Sequence, residues 1–345
     1  MTSKGKILVT GGAGFIGSHT VVELINAGYE PVIVDNFSNS LASVLDGLKN
    51  IIHKDVPCHK VDCTDYLALK EVFRKEKFSG VIHFAAFKAV GESVKEPLKY
   101  YHNNVGGLVT LLRVMEEFDV NQLVFSSSCT VYAQPDKLPV DESTPRKAQS
   151  PYGNTKKICE EILDDYLVSN QKAGIVSLRY FNPIGAHPTG HIGELPLGVP
   201  NNLVPYITQT AAGQREKLTV FGGDYNTPDG TCIRDYIHVC DLASAHVKAL
   251  EVFEKISAPV HEIVNVGTGQ GNTVLEVIKA FEKVSGEKLN YYIGERRSGD
   301  VEQIYASTQK AKEMLGWEAQ YNIEDCMKDA WNWQKNLKNL NVEIA

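Results

Sequence analysis

Short, uninterrupted apolar runs alternate with longer amphipathic stretches through the first half of the sequence. The runs cover Ile7 to Val9, Val32 to Val34, Val81 to Phe84 and Leu123 to Phe125. Between the last two runs, apolar residues recur at 108, 111, 112 and 115, which is the spacing of one helix face. Strands that are apolar at every position suit parallel sheets covered by helices on both faces. The alternation therefore predicts a doubly wound parallel α/β sheet.

This pattern continues through a helical stretch at 156–167 and a strand-like run at 175–180, and then it breaks. Residues 182–235 are rich in Gly, Pro, Asn and Thr, with few clear helical signals. A strand-like run returns at 263–266, and a helical pair ends the chain. A length of 345 residues suits about two domains. We expect a sheet domain at 1–181 and a smaller α/β domain at 182–345, with the chain crossing back to the sheet.

Charge and cysteine content exclude several classes of protein. The net charge is −7 and no basic tract stands out, so we expect no nucleic-acid partner. The seven cysteines form no Cys-x-x-Cys pair, which argues against a zinc site or a disulfide framework and favours reduced thiols in the cytoplasm. No apolar run approaches the ~20 residues of a membrane span, and the first apolar run is too short for a signal peptide.

A glycine-rich turn follows the first predicted strand and opens a helix. Gly11, Gly14 and Gly17 let backbone N–H groups approach a diphosphate at the amino end of that helix. The next predicted strand ends at Asp35, where a carboxylate would accept hydrogen bonds from an adenosine ribose and repel a 2′-phosphate. The sequence thus favours NAD over NADP. Asp62, at the end of a third run over 58–62, is a candidate for the adenine amino group or a simple turn residue.

Tyr152 and Lys156 lie four residues apart, which places both on one face of a helix. A free tyrosine titrates near ~10, so a tyrosine that acts as a base at neutral pH needs a nearby positive charge. Lys156 and a positively charged nicotinamide would provide that charge. Ser126, Ser127 and Ser128 follow a predicted strand, where ligands bind in open α/β sheets. They either contact the substrate or simply end the strand.

Taken together, these motifs resemble the extended short-chain dehydrogenase/reductase superfamily and, within it, the UDP-glucose 4-epimerase family. The similar segments run over nearly the whole chain; they cover 11–19, 34–36, 83–93, 100–105, 126–132, 150–156, 179–183, 201–203, 230–241 and 296–300. The resemblance implies an amino-terminal Rossmann domain that holds NAD and a smaller domain that holds a UDP-hexose in the cleft between them. It also implies a homodimer.

The resemblance carries specific roles onto this sequence. Tyr152 would be the catalytic base, Lys156 would lower its pKa and Ser128 would assist at the sugar O4. The implied NAD ligands, besides Tyr152 and Lys156, are Gly11, Gly14, Phe15, Ile16, Gly17, Asp35, Asn36, Asp62, Cys63, Phe84, Ala85, Ala86, Lys88, Asn103 and Tyr180. The implied substrate ligands, besides Ser128 and Tyr152, are Lys88, Phe181, Asn182, Asn202, Leu203, Phe221, Arg234, Arg297, Asp300 and Ile304. No metal is expected.

Some residues depart from the family pattern or leave the substrate preference undecided. Cys129 and Ala133 stand where Ala and Gly are common, and Cys129 lies beside Ser128. Ile304 occupies a position where a bulky tyrosine tends to exclude N-acetylated sugars and a small residue tends to admit them. A nucleotide-sugar 4,6-dehydratase or decarboxylase would carry an acidic residue just after the catalytic hydroxyl residue, where this chain has Cys129 and Thr130. A non-catalytic NAD-binding sensor would typically lack Tyr152 and Lys156.

Overall fold

The computed structural model describes residues 3–297 and 299–337. Its strands are β1 Lys6–Thr10, β2 Glu30–Asp35, β3 Cys58–Lys60, β4 Gly80–His83, β5 Gln122–Ser128, β6 Gly174–Tyr180, β7 Asn182–Ile184, β8 Leu218–Phe221, β9 Ile233–His238, β10 Val260–Val266, β11 Gly271–Thr273, β12 Tyr291–Gly294 and β13 Gln303–Ile304. Its α-helices are α1 Phe15–Asn26, α2 Ser43–Ile52, α3 Tyr66–Lys75, α4 Val90–Lys95, α5 Pro97–Tyr100, α6 Gly106–Glu117, α7 Pro151–Ser169, α8 Leu203–Ala211, α9 Val239–Val252, α10 Val274–Ser285 and α11 Ile323–Leu337.

A seven-stranded sheet in the order β10-β6-β5-β4-β1-β2-β3 organises the larger part of the molecule. Every neighbouring pair in this sheet is parallel. In β1, Ile7 and Val9 belong to one apolar cluster, while Leu8 belongs to the cluster on the opposite face. Both faces are therefore buried, which is why the strands read as continuous apolar runs. The predicted doubly wound fold is confirmed.

Different helices cover the two faces of the sheet. Residues of α1, α2 and α9 contribute to the cluster on one face, and residues of α3, α6 and α7 contribute to the cluster on the other. The edge strand β10 and helix α9 both come from beyond residue 181. The chain thus returns to the sheet after it has begun the smaller part of the molecule.

Short strands and three helices build that smaller part. β9 pairs with β7, β11 and β13, and β8 pairs with β12. Helices α8, α10 and α11 share an apolar cluster with these strands. Helix α8 and strands β7 and β8 lie within 182–235, the stretch predicted to hold few clear helices. Strand β3 also ends at Lys60, two residues earlier than predicted. Within the described ranges, no helix combines the length and the apolarity that a membrane crossing requires.

Candidate active site

The turn between β1 and α1 has the shape of an anion cradle. Gly11 has φ 69°, and a Cβ atom there would lie 2.8 Å from the backbone nitrogen of Ala85. A Cβ atom on Gly17 would lie 2.3 Å from the carbonyl oxygen of Gly11. Gly14 caps α1 with extended backbone and without a side-chain hydrogen bond. The N–H groups of the first turn, which includes Phe15 and Ile16, are therefore left for a ligand, and they suit a diphosphate.

Asp35 brings its carboxylate to this turn from the end of β2. One oxygen accepts from the backbone N–H of Ala13 at 3.0 Å, and the other accepts from Phe37 N and Ser40 Oγ. The residue is buried. A carboxylate fixed in this way places negative charge beside the glycine turn, where a ribose hydroxyl could donate to it and a 2′-phosphate would be repelled.

The predicted adenine pair, Asn36 and Asp62, forms a contact of its own. Asn36 Nδ2 donates to Asp62 Oδ2 at 2.8 Å, and the other oxygen of Asp62 accepts from Thr64 N and Oγ1. Burial alone would raise the pKa of Asp62, but the hydrogen bonds from Thr64 and Asn36 outweigh it and hold that pKa below its ordinary value. Asp62 is therefore a charged acceptor beside the ends of β2 and β3.

Most of the remaining predicted NAD ligands lie at or just after the carboxyl ends of strands, and Asn103 lies in the helical segment Tyr101–Val105 before α6. The Phe84 ring packs 4.7 Å from the His246 ring, and Tyr180 Oη bonds His246 Nε2 at 2.5 Å. Asn103 donates to Asn104 Oδ1 at 2.9 Å within a π-helical segment. The other members of this group follow β3 or β4; they are Cys63, Ala85, Ala86 and Lys88. The fold thus gathers residues from distant parts of the sequence at one edge of the sheet.

Ser128 and Tyr152 come together where β5 ends and α7 begins. Ser128 Oγ accepts from Thr130 N at 3.2 Å and from Thr130 Oγ1 at 3.0 Å. These contacts leave the hydroxyl proton of Ser128 available for donation. Burial raises the pKa of Tyr152 to about 12, although a hydrogen bond with Ser128 works in the opposite direction. Thr130 was not among the predicted site residues, because its role depends on the turn that follows β5.

Lys156 projects from the next turn of α7 towards β5. Its Nζ donates to the carbonyl oxygen of Ser126 at 2.5 Å and to Ser126 Oγ at 3.1 Å, and it lies 4.9 Å from the centre of the Phe125 ring. Burial lowers the pKa of Lys156 to about 8, against the opposing charge of Glu160. From the resemblance, we expect Lys156 to lower the pKa of Tyr152. Burial of the phenol acts against that effect, and the depression of the pKa by Lys156 together with a nicotinamide stays a prediction.

A buried ion pair behind these residues was not predicted. Glu160 lies one helical turn after Lys156 and receives two hydrogen bonds from Arg179, at 2.8 and 2.7 Å. Ser127 Oγ and Arg146 Nη1 also donate to it, at 2.6 and 3.0 Å. Burial alone would raise the pKa of Glu160, but Arg179 holds it below its ordinary value. The pair thereby ties α7 to β5 and β6 beside the catalytic residues. In the sequence, the spacing of four residues between Lys156 and Glu160 was the only sign that Glu160 lies near the site.

Two arginines and a carboxylate meet in the smaller part of the molecule. Asp300 Oδ1 lies 3.0 Å from an Arg297 nitrogen and 3.7 Å from an Arg234 nitrogen. The Arg297 guanidinium also lies 5.8 Å from the centre of the exposed Phe221 ring. Two guanidinium groups share one carboxylate, so a positive charge is left over for an anionic ligand. Guanidinium groups are well suited to bind phosphate oxygens.

The predicted hexose-side residues form a largely apolar wall. Ile304 pairs with Arg234 across β13 and β9 and packs in one cluster with Cys129 and Phe181. Asn182 begins β7 just after Phe181. Burial raises the pKa of Cys129 to about 12, so this thiol remains protonated at neutral pH. The wall therefore contributes contact surface rather than charge.

Asn202 and Lys88 meet on a carboxylate that was not predicted. Asn202 is the N-cap residue of α8 and precedes Leu203, the first helical residue. Its Nδ2 donates to Glu194 Oε1 at 2.6 Å, and Lys88 Nζ lies 2.8 Å from the same oxygen. Sequence reasoning missed Glu194 because it lies in the irregular stretch, with no motif around it.

A parallel sheet with an uncapped glycine turn and a Tyr–Lys pair on the helix after β5 defines a dinucleotide-binding protein of the short-chain dehydrogenase/reductase class. A family model described as GDP-mannose 4,6 dehydratase matches residues 8–330. The chain is 52% identical to UDP-glucose 4-epimerase 2 of Arabidopsis thaliana over 96% of its own length and 95% of that protein. The chain belongs to the family of that model and, within it, to the UDP-glucose 4-epimerases.

Solved structures show the same likeness. A UDP-glucose 4-epimerase of Stenotrophomonas maltophila, crystallised with NAD and formylated UDP-arabinopyranose, matches with a TM-score of 0.94 at 44% identity. The match covers 97% of this chain and 99% of that one. The enzyme of Bifidobacterium longum, in complex with NAD+ and UDP, matches with a TM-score of 0.92 at 46% identity, over 97% and 99% of the two chains.

Proposed function

We propose that this protein interconverts UDP-glucose and UDP-galactose by inverting carbon 4 of the hexose, with NAD as its retained cofactor. The observation that carries the proposal is the placement of Ser128 at the end of β5 and of Tyr152 in the first turn of α7, together with the uncapped glycine turn after β1. A base, a hydroxyl donor and a dinucleotide cradle are the parts that a reversible oxidation of a secondary alcohol needs. Relatives that share about half of their residues with this chain, over nearly its full length, are named UDP-glucose 4-epimerases.

The residues present fit NAD. Backbone N–H groups after Gly14 would hold its diphosphate, Asp35 would accept from its adenosine ribose, and Lys156 would donate to its nicotinamide ribose. Bound there, NAD supplies a hydride acceptor that returns the hydride later in the same turnover. Asn36 and Asp62 would contact the adenine, while Phe84, Lys88, Asn103 and Tyr180 would surround the rest of the molecule.

Tyr152 would take the proton of the 4-hydroxyl as carbon 4 is oxidised, and it would give a proton back after the sugar has turned. The phenol has a pKa raised to about 12 by burial, so it needs positive charge nearby to act as a base. Ser128 would hold the sugar oxygen with the hydroxyl proton that its contacts with Thr130 leave free. Lys156, held by Ser126, would keep a cation beside the phenol.

Epimerisation requires a firm hold on the nucleotide and a loose hold on the sugar. Arg234 and Arg297 would bind the diphosphate, and Phe221, Asn182, Asn202, Leu203 and Asp300 would complete the UDP site. The wall that contains Phe181 and Ile304 offers the hexose few directional contacts, so the ketone could present either face. Ile304 would also set the space for an N-acetyl group, and UDP-N-acetylhexosamines are further candidate substrates.

The dehydratase and decarboxylase alternative is not favoured. Such reactions need an acid and base for the neighbouring carbons, whereas Ser128 is followed by the buried thiol of Cys129 and by Thr130, whose hydroxyl is bonded to Ser128. A non-catalytic sensor is not favoured either, because Tyr152 and Lys156 are both present. Within the described residues, the site is thus equipped for oxidation and reduction at a single carbon.

The organisation of the protein follows from this function. Residues 1–181 would form the NAD domain and residues 182–345 mainly the UDP-sugar domain, although residues 1, 2, 298 and 338–345 lie outside the described part. A homodimer is supported by Val94 and Leu98, whose exposed fractions are 63% and 81% on neighbouring helices α4 and α5. Sedimentation measurements would test it. A cytoplasmic location is supported by seven free cysteines.

A simple assay tests the proposed activity. The purified protein is incubated with UDP-galactose, without added NAD, and the nucleotide sugars are separated. Formation of UDP-glucose to equilibrium is expected from the wild type, and almost none from Tyr152→Phe, which keeps the ring but removes the base. Absence of conversion in the wild type, even after NAD is added, would reject the proposal.

A further inference from the structure

Glu194 joins two sides of the cleft through a single carboxylate oxygen. Its Oε1 lies 2.8 Å from Lys88 Nζ and accepts from Asn202 Nδ2 at 2.6 Å. Lys88 follows β4 of the large sheet, and Asn202 caps helix α8 of the smaller part. The Lys88 ammonium also lies 6.0 Å from the centre of the Phe15 ring, directly after the glycine turn. We call the three residues Lys88, Glu194 and Asn202 the clasp.

The backbone that carries Glu194 is firmly held. Its carbonyl oxygen accepts from Trp333 Nε1 at 3.0 Å. A Cβ atom on Gly193 would lie 2.4 Å from the Trp333 ring, so the chain passes in close contact with α11. Ile192 is buried in the apolar cluster beneath α1 and α2. Glu194 is therefore a fixed acceptor to which the two donors reach.

Exposure differs among the partners in an informative way. The side chain of Glu194 is 11% exposed, whereas that of Lys88 is 44% exposed. The Glu194 carboxylate is itself mostly shielded from water and so is a better acceptor than a fully exposed carboxylate, while the Lys88 ammonium remains open to solvent. The exposed lysine stem can swing away without disturbing the core. The clasp is thus able to open from the Lys88 side and to close on Glu194.

We propose that the clasp retains the ketone sugar in the cleft during turnover, with Glu194 as the positioning residue that holds Lys88 and Asn202 in place. This rests on the proposed epimerisation. In that reaction, carbon 4 gives two electrons and a hydrogen nucleus to NAD as hydride, and O4 gives a proton to Tyr152. If the ketone leaves before the hydride returns, the sugar stays oxidised and the electrons stay on the nicotinamide. Each escape therefore stops that active site.

The test compares Glu194→Ala and Glu194→Gln with a matched control, Glu324→Ala. Glu324 lies 2.6 Å from Lys283 in an ion pair away from the cleft. Each protein is given UDP-galactose, and the low-molecular-mass filtrate is treated with borodeuteride. Escaped ketone is then counted as UDP-hexose that carries deuterium at carbon 4. Absorbance of the reduced nicotinamide left on the protein gives a second count of the same event. Calorimetry measures the affinity for UDP.

Glu194→Ala is expected to release about tenfold more ketone per turnover than the wild type, equivalent to about 1.4 kcal/mol of lost retention. Glu194→Gln keeps an oxygen that accepts from both donors, so a smaller increase is expected. Glu324→Ala should behave as the wild type. Affinity for UDP should fall much less than retention of the ketone does, because Arg234 and Arg297 remain in every variant and only Asn202 loses a contact.

Equal ketone release from Glu194→Ala and the wild type, with epimerisation intact in both, would overturn the clasp and leave the proposed function standing. No epimerisation by the wild type would reject the proposed function itself and the clasp with it. Should Glu194→Ala fail to fold, Lys88→Met removes a donor from the more exposed side. It is expected to release more ketone as well, and unchanged release from a folded Lys88→Met would equally overturn the clasp.

Discussion

Replacing Arg179 by leucine tests the buried ion pair behind the active site. Arg179 supplies two of the four hydrogen bonds to Glu160, and both side chains are almost wholly buried. Arg179→Leu leaves the carboxylate with Ser127 and the partly exposed Arg146. Removal of one partner from a buried pair costs about 3–5 kcal/mol, because the remaining charge is buried without compensation. With Arg146 still in contact, we expect the lower end of that range.

Equilibrium urea denaturation gives the free energy of unfolding for this comparison. The double variant Glu160→Leu/Arg179→Leu should recover part of the loss, since a matched apolar pair leaves no buried charge. Arg74→Leu is the control. Arg74 forms an ion pair with Glu71 on the surface, so this substitution should change the free energy of unfolding by no more than the experimental error. If Arg179→Leu alone lowers the free energy of unfolding by less than about 1 kcal/mol, the range of surface ion pairs, the stabilising role of the buried pair is refuted.

The pH dependence of the same variant has a defined sign. In the wild type the pKa of Glu160 is held below its ordinary value, so its contribution to stability is present at neutral pH and is lost as the pH falls through the folded-state pKa. Arg179 is the strongest of the groups that lower this pKa, so the folded-state pKa of Glu160 should be higher in Arg179→Leu than in the wild type. The stability that Arg179 gives to the charged carboxylate is therefore missing from the variant at neutral pH. The deficit of Arg179→Leu relative to the wild type should therefore shrink as the pH falls, and a deficit that grows would contradict this assignment.

Three further predictions concern the site itself. Tyr152→Phe should lower kcat by about 10²–10⁴-fold, the usual contribution of a general base, while NAD remains bound in the purified protein; turnover close to wild type would reject the base. The Cys129 thiol, buried and with its pKa raised to about 12, should resist iodoacetamide at neutral pH until the protein is unfolded, and peptide mass mapping of the native protein would reveal any early labelling. Ile304→Tyr should reduce kcat/KM for UDP-N-acetylglucosamine more than for UDP-glucose, and equal reductions would argue against a gate at this position.

The sequence predicts the large sheet because its inner strands share the same local requirement. A strand covered on both faces must be apolar throughout, and the runs at Ile7 to Val9 and Leu123 to Phe125 meet that requirement in a few residues. The glycine turn is equally local, since Gly11 and Gly17 are needed where a Cβ atom would collide with neighbouring backbone. Such features can be predicted from the sequence without knowledge of the rest of the fold.

Contacts between segments that are distant in the sequence are harder to predict. Glu160 meets Arg179, and Glu194 meets Lys88, across separations that no spacing rule covers. The strands β7, β11 and β13 have three residues or fewer, too few to show an alternation of apolar and polar positions. Lys156 donates to the hydroxyl and to the carbonyl oxygen of Ser126. Because every residue has a carbonyl oxygen, the sequence does not indicate which one Lys156 contacts. These parts of the site depend on tertiary packing.

In the proposed reaction, carbon 4 is inverted by removal and return of the same hydride. The most direct measurement uses UDP-galactose deuterated at carbon 4, incubated in ordinary water with the wild-type protein and no added NAD. We expect UDP-glucose that retains the deuterium at carbon 4, because the hydride does not exchange with solvent. UDP-glucose that carries solvent hydrogen at carbon 4 would contradict the account, since it would show inversion by proton exchange.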